Sequence, residues 1–166
     1  MPFCLQTQRT IVVISATFIC FAALAGCSKS DSVSVAKSRT LSDTLASTHQ
    51  LFASLGYTKG KTYAPRDCVT EESYIGTKPW WNAIVRSNIC DHGPATLIIQ
   101  FPRNSETSDL TGGVFKVLYF DDTLAVSAAL LKSSTDDFPS FVASSDGACT
   151  AKLTRAEIGV VCKLRR

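Results

Sequence analysis

Ala95-Thr-Leu-Ile-Ile-Gln-Phe101 is the stretch of sequence on which the predicted fold depends. Its apolar residues, several of them β-branched or aromatic, are typical of a buried strand. Pro102 ends the run, and a polar loop then continues to Gly113. A second run of the same kind, Val114–Phe120, follows the loop and predicts a second strand. These two runs carry the strongest strand signals in the chain.

Upstream of these strands, the sequence predicts an amphipathic helix that packs on the rest of the domain. Apolar residues recur there at the spacing of a helix, so that they share one face. The members of this stripe are Leu41, Leu45, Thr48 or His49, Phe52 and Leu55. Ser38, Thr40 or Ser42 can cap the start of the helix, and Gly56 ends it.

Three further segments give mixed signals. Tyr57–Pro79 combines glycine, proline and charged residues, which predicts turns with at most one strand. Trp80–Cys90 fits either a helix or a strand. Asp121-Asp122 marks a turn, after which Thr123–Leu131 is either the returning strand of a hairpin, which we prefer, or a short alanine-rich helix.

The cysteines predict how the end of the chain folds. Cys149 and Cys162 lie in two short strand-like runs, and a hairpin would place them face to face. Cys68 and Cys90 then pair by elimination. There is no C-x-x-C pair, so no zinc site is expected. Because strands and helices do not alternate, the predicted class is α+β: an N-terminal amphipathic helix packed on a mainly antiparallel sheet, stabilised by disulfides.

The start of the chain carries an export signal. Ile11–Ala23 is almost wholly apolar and follows a segment whose single charge is Arg9. As a helix this run would reach roughly 20 Å, less than the ~30 Å hydrocarbon core of a bilayer. The combination indicates a secretory signal. The next four residues, Leu24-Ala25-Gly26-Cys27, resemble the lipobox of bacterial lipoproteins.

The resemblance implies how the chain is processed. Leu24, Ala25 and Gly26 match the three positions before the cleavage point, and Cys27 matches the cysteine that receives a diacylglyceryl group and often a third acyl chain such as palmitate. Two or more acyl chains give a stable anchor. Ser28 stands where an aspartate would resemble the inner-membrane retention signal, so the expected location is the outer membrane, facing either the periplasm, which we prefer, or the cell surface. The alternatives are a permanent anchor helix and an ordinary signal peptide cut near Gly26.

The exported chain divides into a tether and one domain. After removal of residues 1–26, residues 27–40 are rich in serine with few large apolar side chains, which predicts a lipidated N-terminus and a flexible tether. Residues 41–166 have the size of a single globular domain. Of 17 basic residues only Arg9 leaves with the signal, against 14 acidic residues, so the net charge stays small and does not indicate nucleic-acid binding.

Trp80 and Trp81 are the candidate binding residues. On a strand, neighbouring side chains point to opposite sides of the sheet, so one tryptophan would be buried and the other exposed. Tryptophan is common in protein-binding hot spots, and its flat face also suits sugar rings. The alternative is that the second tryptophan packs under a loop beside Pro79.

The sequence contains no recognisable catalytic or metal-binding constellation. His49 lies on or beside the helical stripe, and His92 lies in a turn, so neither is placed by its context next to a nucleophile. Asp121-Asp122 and Asp136-Asp137 lack the spacing of a calcium loop and are expected to form turns and helix caps. The Ser-x-x-Lys fragment at residues 34–37 lacks its companion motifs. We therefore predict no catalytic residues, no metal and no cofactor.

Together these features predict a lipid-anchored envelope lipoprotein that acts as a non-catalytic protein-binding module in the periplasm. Its expected partners are the membrane, through the lipid on Cys27, and an envelope or effector protein. The alternatives are an immunity or inhibitor protein that neutralises a secreted toxin or a cell-wall hydrolase, a structural envelope lipoprotein, and an enzyme whose site is not evident in the sequence.

Overall fold

In the part of the chain that the structure describes, the fold consists of a seven-stranded antiparallel sheet and three helices. The computed structural model describes residues 39–78, 81–90 and 92–166, all within one unit that spans residues 34–166. The strands are β1 (Thr58–Arg66), β2 (Val69–Ile75), β3 (Ala83–Asn88), β4 (Ala95–Pro102), β5 (Ser140–Ala143), β6 (Cys149–Leu153) and β7 (Glu157–Leu164). The helices are α1 (Leu41–Ser54), α2 (Ser108–Val117) and α3 (Thr123–Thr135), and a 3-10 turn, Ser105–Thr107, leads into α2.

The sheet has the order β1-β2-β3-β4-β7-β6-β5, and every neighbouring pair is antiparallel. The last strand, β7, therefore returns to the middle of the sheet and pairs with β4 along its whole length. The α1 helix contacts β4 and α2, whereas α3 contacts β5 and β6. This arrangement confirms the predicted α+β class with an amphipathic helix on an antiparallel sheet.

Strand β4 confirms the prediction made for its sequence. Alternate side chains, from Ala95 to Phe101, are at most 2% exposed and face the core, while those between them lie on the other face. Residues of β7 alternate in the same way from Ile158 to Leu164. One face of the sheet is thus apolar and covered by helices, and the opposite face lies open to solvent, as is common in antiparallel sheets.

The α1 helix lies where it was predicted, although the leucines of the predicted stripe are only half-buried. Thr40 caps its start, where the side-chain oxygen accepts a hydrogen bond of 3.1 Å from the Asp43 amide. Thr44, Thr48 and Phe52 are the buried residues of its inner face. Gly56 follows the helix with a φ of 78°, a conformation that glycine adopts without steric cost.

The predicted strand Val114–Phe120 is wrong. Most of it belongs to α2, and the chain turns after the helix at Tyr119, whose φ is 61°. The helix also takes in the second half of the segment expected to be a polar loop. The 3-10 turn before α2 is capped by Asn104, whose side chain accepts hydrogen bonds from the amides of Glu106 and Thr107, and α2 continues directly from this turn. Capping and tertiary burial override the strand-like composition of this run.

The segments with mixed signals are resolved as follows. The 123–131 region belongs to α3, so the preferred hairpin is wrong and the alternative helix is correct. Asp122 caps this helix by accepting a hydrogen bond of 2.9 Å from the Ala125 amide, which agrees with the predicted turn and cap. The 57–79 region contains two strands, β1 and β2, rather than at most one. Within the region predicted as helix or strand after residue 80, Ala83–Asn88 form strand β3.

Both disulfides are present, with the predicted pairing. Cys149 and Cys162 lie directly opposite each other on β6 and β7. Cys68, in the turn between β1 and β2, is joined to Cys90, which follows β3. Of the helices formed by the described residues, none has both the length and the apolar character needed to cross a membrane.

Candidate binding site

The structure describes only some of the residues that the sequence predicts for partner binding and lipidation. Cys27 and Trp80 lie outside the described residues. Trp81 is half-buried ahead of β3 and packs against the core. Its indole Nε1 donates a hydrogen bond of 2.9 Å to Glu106, and the Lys78 ammonium lies 5.1 Å from the centre of its ring. Trp81 therefore joins the segment before β3 to the turn that leads into α2.

The two histidines occupy different settings. The Nε2 atom of His49 lies 2.8 Å from a carboxylate oxygen of Glu72 on β2. His92 is exposed in the connection between β3 and β4. Within residues 39–78, 81–90 and 92–166, no group of three or more His, Cys, Asp or Glu side chains is arranged to hold a metal ion.

Glu72 is the centre of a polar cluster that ties α1 to the sheet. Its carboxylate lies close to His49 and accepts hydrogen bonds from Lys59 and from the Tyr74 hydroxyl, the latter 2.9 Å long. Burial on its own would raise the pKa of Glu72, but these hydrogen bonds and the neighbouring positive charges outweigh it and hold that pKa below its usual value. Burial and the bond to Glu72 raise the pKa of Tyr74. The cluster is therefore a structural anchor with an ionised carboxylate.

A second ion pair holds the chain just before α1. Arg39 donates to Asp146, in the loop between β5 and β6, at 2.8 and 3.0 Å, and its guanidinium lies 4.6 Å from the centre of the Tyr119 ring. Asp146 also accepts hydrogen bonds from the Ser144 hydroxyl and the Ala148 amide. Although burial opposes it, these bonds and the Arg39 charge lower the pKa of Asp146.

A large and mainly apolar concavity formed by described residues is a cleft between α2 and α3, with a volume of about 580 Å³. Phe115, Phe120 and Ile158 line its base, and Val126 and Leu130 belong to its α3 wall. The remaining lining residues are small or polar: Arg103, Asn104, Ser108, Thr111, Gly112, Lys116, Asp121, Thr123 and Ser127.

Small residues on the facing sides of the two helices keep this cleft open. A Cβ atom added at Gly112 would meet no other atom within 4 Å. Ser127 on α3 is likewise short, and it is exposed. Since α2 packs on α1 while α3 packs on β5 and β6, the facing sides of the two helices are left to line the cleft.

Two cations and one carboxylate line the ends of the cleft. Arg103 donates hydrogen bonds to the Ser133 hydroxyl and to the carbonyl oxygens of Leu130 and Thr154, at 2.6, 2.6 and 2.9 Å respectively. Lys116 lies near the other end, in the last turn of α2. In the part of the chain that the structure describes, neither cation has a carboxylate within 4.0 Å.

Among the described residues that line the cleft, Asp121 is the acidic one, and it accepts a hydrogen bond of 2.9 Å from Ser145. With two cations against this single carboxylate, the cleft combines an apolar base with a small excess of positive charge.

Exposed leucines extend the apolar surface beside the cleft. Leu124 is 82% exposed and Leu131 is 69% exposed, and both lie on α3. Each directly follows a residue that lines the cleft, Thr123 and Leu130. Because successive helical residues are separated by about 100°, the leucines lie roughly a quarter turn away from the cleft wall, on its outer rim.

Sequence reasoning missed the cleft because it assigned α2 to a strand and preferred a strand for α3. A signal was present in the sequence: Leu110, Val114 and Leu118 recur every four residues, and Asn104 precedes them as a possible cap. No protein-family model, no curated protein and no solved structure matches this chain.

Proposed function

We propose that this chain is a bacterial envelope lipoprotein, anchored through lipid on Cys27 in the outer membrane and facing the periplasm. In this proposal the folded domain binds a partner protein and catalyses no reaction. The lipobox-like sequence Leu24–Cys27 supports the anchor. The cleft between α2 and α3 is the observation that carries the binding role.

The size and chemistry of the cleft support binding. Its volume of about 580 Å³ falls within the range of known ligand sites, which are mainly apolar with a few polar groups. Exposed apolar surface next to a concave site is typical of protein interaction surfaces, and Leu124 and Leu131 supply such surface here.

The polar groups of the cleft suit recognition better than proton transfer. The described residues that line it include neither histidine nor cysteine. Arg103 already uses its donors to hold α3 to the segment before β7. This lining is compatible with a binding module.

The tether explains why a binding module benefits from an anchor. Residues 28–38, which precede the ion-paired Arg39, can span at most ~40 Å when fully extended. A domain on such a tether samples a thin layer beside its membrane, so its effective concentration near a membrane-bound partner is high.

The anchor predicts the behaviour of Cys27→Ala. This variant should lose fatty-acid labelling, should keep its signal peptide or be cut elsewhere, and should leave the membrane fraction when the signal is removed. The measurements are the intact mass of the exported chain, labelling with an alkyne fatty acid, and fractionation. Cys20→Ala is the matched control, because Cys20 lies in the same signal but before the predicted junction, and it should remain acylated. An unacylated wild-type N-terminus would contradict the proposal.

The binding role is tested in intact cells with a photo-crosslinking residue placed in the full chain. At Ser127, on the cleft wall, we expect a single defined protein adduct. At Thr150, which is exposed on β6, we expect none. If Ser127 gives no adduct, or gives the same adducts as Thr150, the cleft is not the binding site of a partner protein.

A further inference from the structure

We propose that the cleft between α2 and α3 receives an amphipathic helix of the partner protein, with apolar side chains in the cleft and acidic side chains towards Lys116 and Arg103. This inference rests on the proposed binding function and specifies the partner's chemistry. It joins three independent features of the site: its shape, its exposed leucines and its two cations, neither of which has a carboxylate within ion-pair distance among the described residues.

The shape of the cleft suits a helix. Its walls are helices of 10 and 13 residues, which correspond to lengths of about 15 and 20 Å. Three to four turns of a third helix match that length, and helix-in-groove recognition places anchors at positions i, i+3, i+4 and i+7. The short side chains of Gly112, Ser108 and Ser127 let such anchors approach the base formed by Phe115, Phe120 and Ile158.

The exposed leucines require an occupant that is wider than the cleft. Leu124 and Leu131 are seven residues apart and therefore lie on the same side of α3, two turns from each other. A helix with its side chains is about 10 Å across, so one that lay along the cleft could also cover both leucines. A small amphiphile held inside the cleft would leave them in water. The leucines therefore favour a helix over a small molecule.

The charges of the cleft select the kind of helix. Lys116 and Arg103 have no carboxylate within ion-pair distance among the described residues, and Asp121 is the single acidic residue of the lining. A helix with glutamate or aspartate beside its apolar stripe would complement this charge. A basic helix would meet repulsion from both cations.

Two synthetic peptides of about 14 residues test the inference. They share one leucine stripe and differ in their flanking residues, which are glutamate in one and lysine in the other. Binding to the detergent-purified full chain is measured by fluorescence anisotropy, with protein-free micelles as the blank. We expect the acidic peptide to bind at least about tenfold more tightly than the basic one, and Lys116→Glu to abolish or reverse that preference.

Matched variants locate the binding to the cleft. Gly112→Leu places a side chain in the open space of the cleft and should abolish binding of the acidic peptide. Gly93→Leu is the control: a Cβ there also meets no atom within 4 Å, and Gly93 lies outside the cleft, so binding should be unchanged. Ser127→Leu fills the cleft from the α3 side and should repeat the effect of Gly112→Leu. Circular dichroism verifies that each variant is folded.

Several outcomes would overturn the inference. These are equal binding of both peptides, binding that Gly112→Leu and Ser127→Leu leave unchanged, and no binding of either peptide. If palmitate binds instead, and only the two filling variants prevent it, the cleft holds a small amphiphile. None of these results affects acylation of Cys27 or the adduct expected at Ser127, so a failure here is distinguishable from a failure of the proposed function.

Discussion

At the scale of single residues, two adjacent glycines of α2 have opposite surroundings. A Cβ at Gly112 meets only open space, whereas a Cβ at Gly113 would lie 2.5 Å from a methyl group of Leu51 on α1. Gly112→Ala should raise the free energy of unfolding by about 0.5–1 kcal/mol, because alanine favours the helix. Gly113→Ala should lower it by about 1 kcal/mol, because the overpacking outweighs the same gain. Urea unfolding followed by circular dichroism measures both values.

A double variant provides the control. If Leu51 is the cause, Leu51→Ala relieves the overpacking, and Gly113→Ala should become stabilising in that background. Equal stabilities of Gly112→Ala and Gly113→Ala in the otherwise unchanged chain would show that α1 and α2 do not meet as closely as the structure has them.

At the scale of elements, local patterns predicted some parts of the fold and not others. The strand at Ala95–Phe101 and the terminal hairpin were predictable because a run of apolar, β-branched and aromatic residues and a cysteine pair in two short strand-like runs are local signals. The run Val114–Phe120 has the composition of a strand, but most of it belongs to α2. This helix follows a capped turn and buries Leu110, Val114 and Phe115 on one face. Tertiary packing against α1 favours the helix over the strand in this run.

The β1–β2 hairpin is the element that depends most on a disulfide. Every residue of β1 is exposed, and its main neighbour is β2. Cys68 and Cys90 are half-buried, whereas Cys149 and Cys162 are at most 1% exposed. Mild reduction of the native protein should therefore open Cys68–Cys90 first, which differential alkylation detects. After this step, amide hydrogen exchange should accelerate in β1 and β2 but not in β4 or β7.

Cys68→Ser combined with Cys90→Ser reproduces the selective loss without a reductant and serves as the control for that experiment. The disulfide joins residues 22 positions apart in the sequence. Its loss should therefore lower the free energy of unfolding by about 3 kcal/mol. Simultaneous reduction of both disulfides, or exchange that accelerates equally in β4, would contradict an independently tethered hairpin.

At the scale of the whole molecule, the class of fold was predictable and the candidate site was not. The class of fold follows from local signals: an even number of cysteines in the domain, the helical spacing of apolar residues in α1, and the runs of strand-forming residues. The cleft depends on which sides of α2 and α3 face each other, and that is set by their separate packing on α1 and on β5–β6. Trp81, which a sequence pattern singled out, proved to pack against the core and Glu106.

Two ionised carboxylates join the N-terminal part of the domain to the sheet, so the stability of the whole molecule should depend on pH. Glu72 holds His49 of α1, and Asp146 holds Arg39 before α1. The pKa of each carboxyl group is lower in the folded state than its usual value, so each stabilises the fold fully above about pH 4–5. This stabilisation is lost as the pH falls through the lower, folded pKa values.

Urea unfolding at pH 7, 5, 4 and 3 measures this loss. The wild-type chain should lose stability towards pH 3 more steeply than Glu72→Gln combined with Asp146→Asn, because the variant has no carboxylates to protonate at these positions. The variant should be the less stable protein at pH 7, and the difference should shrink in acid. Curves that stay parallel from pH 7 to pH 3 would mean that these two carboxylates do not couple α1 to the sheet, and that another group sets the acid sensitivity of the domain.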